Sequence, residues 1–427
     1  MTRIFVLFVA LVSAVFSAEL SLDRAVEQAV ANNRALAAAG RFEIEKAQGR
    51  ALQAGLPKNP EIEVGGRSDL LFKNEGERTV SLGVSQAIAR KGRLRLAREA
   101  ANLSVNEQQE LAREAERQLI GEVQTLYVQA VGFNTRYVAR QKLIETGEKL
   151  AAIVEQRYQA GEVPQTDIAP IRIENAKLVQ EQQLLTAEKT AAELKLKFAL
   201  GLPPDEPLTL TSTVEDAAAR WERESAVAFR SEARPDYQAA KARIAQAEAN
   251  VRVAKAEAYD DITVGADFEN ERSVFDGPIG VKKDYYLGFK VSIPIPVRNK
   301  NQGRILEQQA AHRQAEAELD ATGQRIASEV AQTRAVVAQL EPLLTRYRDE
   351  LLPMAERHFQ AVQRAYQQGQ LGIPPVFQAQ QQRFALELDY QSHLARKVEA
   401  LIAIETATGA HPHVRTPHSH PHPSSQP

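Results

Sequence analysis

The sequence predicts a mainly α-helical protein with a small β part, built as two copies of one unit. Three observations carry this. From Leu94 to Ala160 the chain holds helix formers and no proline, and a helix of about 67 residues would be ~100 Å long. Four short stretches alternate apolar and polar side chains, as strands do. A turn motif also occurs twice: Tyr158 matches Tyr366, Gly161 matches Gly369, Val163 matches Leu371 and Ile168 matches Val376, each pair 208 residues apart. A constant offset over several positions marks a duplication.

Composition agrees. Aromatics make up 6% of the 427 residues, whereas long helices favour the Ala, Gln, Glu, Arg and Leu that dominate here. Lys and Arg number 53 against 55 Asp and Glu, which argues against a broad nucleic-acid surface. No cysteine is present, which excludes disulfides, thiolate metal sites, a thiol nucleophile and a lipidated cysteine. Residues 1–18 read as a secretory signal: Arg3, an apolar run from Ile4 to Phe16, then small residues.

Taken in order, Ser21 caps a short amphipathic helix to about Ala31. Asn32-Asn33 breaks it, and a second helix runs from Arg34 to Ala54, stopped by Gly55, Pro57 and Pro60. Ile62 and Val64, then Val80, Leu82 and Val84, alternate with polar or small residues as a strand pair. The long helix follows, then a turn at Gly161–Pro164 and a return helix from Ile168 to Leu200. The first unit spans 19–206 and the second 207–409. The second repeats the order with a helix from Arg234 to Ala258 and a strand from Ile262 to Glu269. Its other strand runs from Tyr285 to Ile295 and carries Leu287, Phe289 and Val291. A helical run follows from Gln302 to Gln368, kinked or broken at Pro342 and Pro353. A return helix from Val376 to Thr408 completes the unit. In each unit the two shorter helices together match the long one, so a strand hairpin is expected at one end and a helical turn at the other. Outside the leader no stretch can span a membrane as a helix. Any crossing is made by strands, and four strands cannot close a barrel alone. Several chains would share one.

With that order established, the chain resembles the TolC family of outer-membrane efflux ducts from Ser21 to Gly409. The most specific piece is Arg157-Tyr-x-x-Gly161-x-Val-x-x-Thr166-Asp167, similar to the family's periplasmic tip. The resemblance implies a homotrimer in which each chain adds four strands to a shared 12-stranded outer-membrane β-barrel. The barrel continues into a long α-helical coiled-coil tunnel whose tips meet a periplasmic adaptor (membrane fusion) protein. Ser292-Ile-Pro294-Ile-Pro296-Val-Arg-Asn299-Lys-Asn301-Gln302-Gly303 and Arg90-Lys91-Gly92-Arg93 are similar to segments of the CzcC-like branch. That branch serves heavy-metal pumps of the resistance-nodulation-division class in the inner membrane.

The implied tip and gate residues are Tyr158, Gly161, Glu162, Val163, Thr166, Asp167, Tyr366, Gly369 and Leu371. Asp167 corresponds to a gate aspartate and Tyr366 to its tyrosine partner; the alternative for Asp167 is a helix cap. A family member with a charged lock has aspartates and an arginine in its second turn. Leu371, Pro375 and Gln378 stand there here, and Pro374-Pro375 is expected to stiffen that turn. Val80, Leu82, Val84, Leu287, Phe289 and Val291 are the membrane-facing strand residues. Arg90, Lys91, Arg93 and Arg95 either contact lipid phosphates where strand becomes helix or form a solvated basic run. Residues 410–427 form a His- and Pro-rich tail without a packed core. Its His411, His413, His418, His420 and His422 either capture Zn, Co, Ni or Cu or carry no ligand.

No catalytic constellation and no cofactor motif is present. The function expected is passive conduction of heavy-metal cations from a periplasmic pump–adaptor assembly across the outer membrane. Alternatives are a multidrug or protein-export duct, or a non-conducting periplasmic coiled-coil scaffold.

Overall fold

The computed structural model describes residues 19–69, 71, 76–164, 168–222, 230–275 and 280–409. The leader, Thr166, Asp167 and the histidine tail lie outside the described residues. In order, the elements are β1 (Glu19–Leu20), α1 (Leu22–Asn32), α2 (Arg34–Ala37), a π-turn (Ala38–Phe42), α3 (Glu43–Ala54), β2 (Glu61–Ser68), β3 (Arg78–Ile88) and α4 (Arg93–Gln159). Next are α5 (Ile168–Ala199), β4 (Thr209–Leu210), α6 (Val214–Glu222), a 3₁₀ turn (Ser231–Ala233), α7 (Pro235–Ala256), β5 (Ile262–Phe275) and β6 (Gly280–Ser292). The chain closes with α8 (Gln302–Arg346), a second π-turn (Tyr347–Leu351), α9 (Leu352–Gln367) and α10 (Ile373–Thr408).

Two compact units result, each assembled from separated stretches. One takes Met1–Leu36, Ala115–Arg230 and Ile326–Pro427. Its core packs Val123, Tyr127 and Val131 of α4 against Leu196 of α5, Val398 and Ile402 of α10, Val26 and Ala29 of α1, and Val214 and Trp221 of α6. A hydroxyl and an indole group inside it find partners, as burial favours. The Tyr127 hydroxyl donates to the Leu20 carbonyl at 2.8 Å, and the Trp221 indole donates to Glu405 at 2.6 Å. β1 and β4 form a two-residue parallel pair in this unit. It is too short to show as an alternating pattern, and the sequence reading did not contain it.

The second unit takes Ala37–Glu114 and Ser231–Arg325. Ala47 and Ala51 of α3 pack on Val105 of α4. Arg243 of α7 reaches Glu107 at 2.8 Å and Glu318 at 3.0 Å. Arg234 is almost wholly buried and grips both oxygens of Asp236, at 3.0 and 2.7 Å. The four-stranded sheet, antiparallel throughout in the order β2-β3-β5-β6, belongs to this unit.

Four sequence expectations need correction. The helix expected over Arg34–Ala54 contains a π-turn, where Gly40 lets the backbone approach Ala112 of α4; a Cβ there would sit 3.4 Å from the Ala112 methyl. Pro342 lies inside α8 and does not end it. The interruption is the π-turn at Tyr347–Leu351, whose wider ring admits Pro353 in the first turn of α9. Pro374 and Pro375 fall inside α10, which begins at Ile373 rather than Val376. First-turn N–H groups have no intrahelical partner, so proline loses nothing there. The last strand spans Gly280–Ser292 and stops before Ile295, because Pro294 and Pro296 have no N–H to give a ladder.

Candidate functional site

The two turns noted in the sequence have the same backbone. At the end of α4, Gly161 N–H donates to the Tyr158 carbonyl (2.9 Å) and Glu162 N–H to the Arg157 carbonyl (2.8 Å). At the end of α9, Gly369 N–H donates to Tyr366 (2.9 Å) and Gln370 N–H to Ala365 (2.9 Å). Both glycines are left-handed, with φ of +74° and +73°. This paired pattern is the Schellman cap, which requires a residue at positive φ. Between the turns, Val154, Ile168, Ile171 and Ile373 form a small apolar cluster with Tyr158, Val163 and Tyr366 against it. Glu162, Gly369 and Leu371 are exposed.

Arg157 ties this tip together, and the sequence reading gave it no role. Its guanidinium donates to Glu162 at 2.9 Å and to the Tyr366 hydroxyl at 2.8 Å, and lies 5.8 Å from the Tyr366 ring centre. The hydrogen bond to Glu162, then that to Tyr366, holds Arg157 above its usual range. Glu162 five residues on was the available signal; the reach to Tyr366 crosses 209 positions.

In the sheet, register sorts the side chains by face. One rung joins Ile62, Val84, Ala266 and Phe289; the next joins Val64, Leu82, Phe268 and Leu287. Gly66, Val80, Asn270 and Tyr285 follow. These apolar side chains are exposed in the protomer, Leu287 by 68% and Phe289 by 80%. Tyr285 stacks on Phe268 at 5.9 Å. All six expected membrane-strand residues share this face. The opposite face carries Glu61, Glu63, Asp267, Glu269, Glu271 and Asp284, with Arg67, Lys282 and Lys290. In the protomer both edge strands, β2 and β6, keep one ladder side unpaired.

Where the sheet meets its helices, Arg90 and Lys91 lie 5.5 and 5.1 Å from the centre of the Tyr259 ring. Arg93 and Lys58 share Asp261 at 2.6 and 3.4 Å. Among the described residues no three His, Asp or Glu side chains converge as a metal site would require, and no helix is long and apolar enough to cross a membrane.

Capped helical turns and an open-edged sheet with one apolar and one acidic face define a protomer of a membrane channel. The chain belongs to the outer membrane efflux protein family, whose model matches residues 25–202 and 231–410; it is a transport protein of the outer membrane and not an enzyme. It is 28% identical over 414 residues to the pyoverdine export outer membrane protein OpmQ of Pseudomonas putida, covering 91% of this chain and 85% of that one. It is 23% identical over 404 residues to the cobalt-zinc-cadmium resistance protein CzcC of Cupriavidus metallidurans, covering 91% and 90%. Its fold matches the solved structure of the transmembrane channel CusC with a TM-score of 0.73 at 18% identity, over 92% of this chain and 93% of that one.

Proposed function

We propose that the chain, as a homotrimer, is the outer-membrane conduit of a tripartite efflux system and that its cargo is a heavy-metal cation. Three copies of the four-stranded sheet close a twelve-stranded barrel, because open edges are not tolerated in lipid. The apolar face meets lipid and the acidic face lines the lumen. Residues 19–206 and 207–409 act as two copies of one unit, and 1–18 direct export. The twin capped turns dock a periplasmic adaptor, with Tyr158, Gly161, Glu162, Val163, Thr166, Asp167, Tyr366, Gly369 and Leu371 as contact and gate residues. A pump of the resistance-nodulation-division class in the inner membrane supplies the energy. The histidine tail, with His411, His413, His418, His420 and His422, captures metal.

The observation that carries the cargo assignment is the acidic face. Six carboxylates against three cations on the lumen side of each protomer would make the shared lumen strongly negative and raise the local concentration of cations. The likeness to CzcC supports the same reading. A second reading, export of pyoverdine or a similar compound, is favoured by the higher identity to the pyoverdine exporter.

Deletion of the gene in its host, followed by growth on Zn, Co, Cd, Ni, Cu and Ag salts beside dyes and assays of secreted pyoverdine, tests this. Sensitivity to one group of metals, restored by the intact gene but weakly by Asp267→Asn/Glu269→Gln/Glu271→Gln, is expected. Normal metal tolerance with loss of secreted pyoverdine would transfer the assignment to the second reading.

A further inference from the structure

We infer that Arg78, Arg272 and Lys283 form a phosphate-binding rung for glycolipid in the outer leaflet of the outer membrane. The register places them side by side: Arg78 of β3 pairs with Arg272 of β5, which pairs with Lys283 of β6. Ser68 of β2 completes the rung. Parity puts the three cations on the same face as Val80, Phe268, Leu287 and Phe289, the face exposed to lipid.

Like charges directly opposite one another on a sheet are destabilising, yet here three stand in one row. None makes an ion pair among the described residues, and the shielded Nε of Arg272 has no acceptor. The acids next to Arg272 and Lys283 do not serve them, and no ion pair joins Arg78 to the adjacent Glu77. Glu271 and Asp284 occupy the opposite face, where Glu271 accepts from Ser273 at 3.4 Å and Asp284 pairs with Lys282 at 3.0 Å. A row of three cations without an ion pair among the described residues, on a face otherwise free of charge, calls for an external anion.

Depth identifies that anion. Moving along the face, aliphatic rungs give way to the Tyr285–Phe268 stack and then to the cations, beyond which β5 and β6 alone continue with Val274 beside Val281. Aliphatic, aromatic, cationic is the order of side chains met on leaving a bilayer. From Ile88 to Arg78 the strand rises ten residues, or ~33 Å along its axis, and ~25 Å in height at a tilt of about 40°, the thickness of the apolar band of an outer-membrane barrel. Arg90 and Lys91 stand just beyond Ile88, so cations bound the band on both sides. The helices leave the sheet at the Ile88 end, and the loops joining β2 to β3 and β5 to β6 lie at the Arg78 end. With the helical portion periplasmic, the rung meets the outer leaflet, whose lipids carry their phosphates on a glycolipid. The inference rests on the sheet being inserted with its apolar face to lipid.

The test uses the full-length protein extracted in mild detergent and exposed to equal phosphate as lipid A, phosphatidylglycerol or inorganic phosphate. Bound lipid is counted by native mass spectrometry. Wild type should retain lipid A in preference to phosphatidylglycerol, and inorganic phosphate should not displace it. Arg78→Gln, Arg272→Gln and Lys283→Gln should each lower lipid A retention about fivefold. The charge-preserving Arg78→Lys and Lys283→Arg should retain it, which keeps the test open if a neutral variant fails to assemble. Undiminished retention in the Gln variants overturns the inference, as does equal retention of phosphatidylglycerol or displacement by inorganic phosphate. Heat-modifiable migration, read on the same samples, separates the two failures: its loss in the wild type would sink the barrel itself, whereas intact migration without lipid A sinks only the rung.

Discussion

Arg157 donates a 2.8 Å hydrogen bond to the hydroxyl of Tyr366, joining the end of α4 to the end of α9. The same guanidinium also holds Glu162 of its own turn. One side chain therefore couples both turns of the tip. Tyr366→Phe keeps the ring and removes the acceptor; Arg157→Ala removes both bonds. Both bonds lie at the surface, where solvent screening keeps each of them weak. In planar bilayers Arg157→Ala should raise mean single-channel conductance, with Tyr366→Phe between it and wild type. Identical conductance in all three would remove the tie from any part in closing the tip.

The caps at Gly161 and Gly369 make a second prediction. Nothing lies within 4 Å of a Cβ built at either position, so a side chain meets no neighbour and only the left-handed backbone resists it. That costs roughly 1–2 kcal/mol for an L-residue. Gly161→Val/Gly369→Val should weaken capture of the adaptor by pull-down while trimer assembly stays intact. Gly49→Val, inside α3 at φ below zero with equally open space, is the control. Adaptor capture at the wild-type level by the double variant would detach these turns from docking.

The two sheet faces should respond oppositely to charge. Phe289→Arg places a cation on the apolar face near mid-depth, at about 2–4 kcal/mol. Glu269→Arg places the same side chain on the acidic face. The first should abolish heat-modifiable migration. The second should preserve it and shift the reversal potential toward anions in a salt gradient. A tolerated Phe289→Arg would reverse the assignment of faces.

Burial pushes the Glu399 carboxyl above the usual carboxylate range, against the lowering influence of Gln129 and Arg396. The unfolded chain ionises this group first, so the folded state binds more protons in the window between the two pKa values. Stability therefore falls as pH rises through that window and stays lower above it. Glu399→Gln should melt at a higher temperature than wild type at neutral pH, with the difference vanishing below about pH 4. Thermal melts followed by helical circular dichroism across that range give the answer. A constant offset at all pH values would mean that the charge is not the cause.

Much of this molecule was readable in one dimension. The 67-residue helix α4, the strands β2 and β3, and both glycine turns follow from features within a few neighbouring residues: apolar period, proline placement, residues able to take positive φ. The polar and apolar faces of each strand follow from the same local alternation. The misreadings also have local causes. Pro342 points to a kink or break in α8 and Pro374-Pro375 to a stiffened turn, although the effect of proline depends on whether its missing N–H and its ring meet a bonded carbonyl. The π-turns at Ala38–Phe42 and Tyr347–Leu351 carry no sequence period of their own.

The amino-acid sequence by itself determined which segments are helix and strand, where they turn, and which side of each strand is apolar. Only the tertiary structure decided which residues from distant segments stand together: Arg157 with Tyr366, Trp221 with Glu405, and Arg78 with Arg272 and Lys283. The reason is physical. Backbone period and capping act over one or two turns of chain. Strand register and helix docking are chosen by burial and pairing summed over many residues, and a shift of one residue would send every side chain of a strand to the other face.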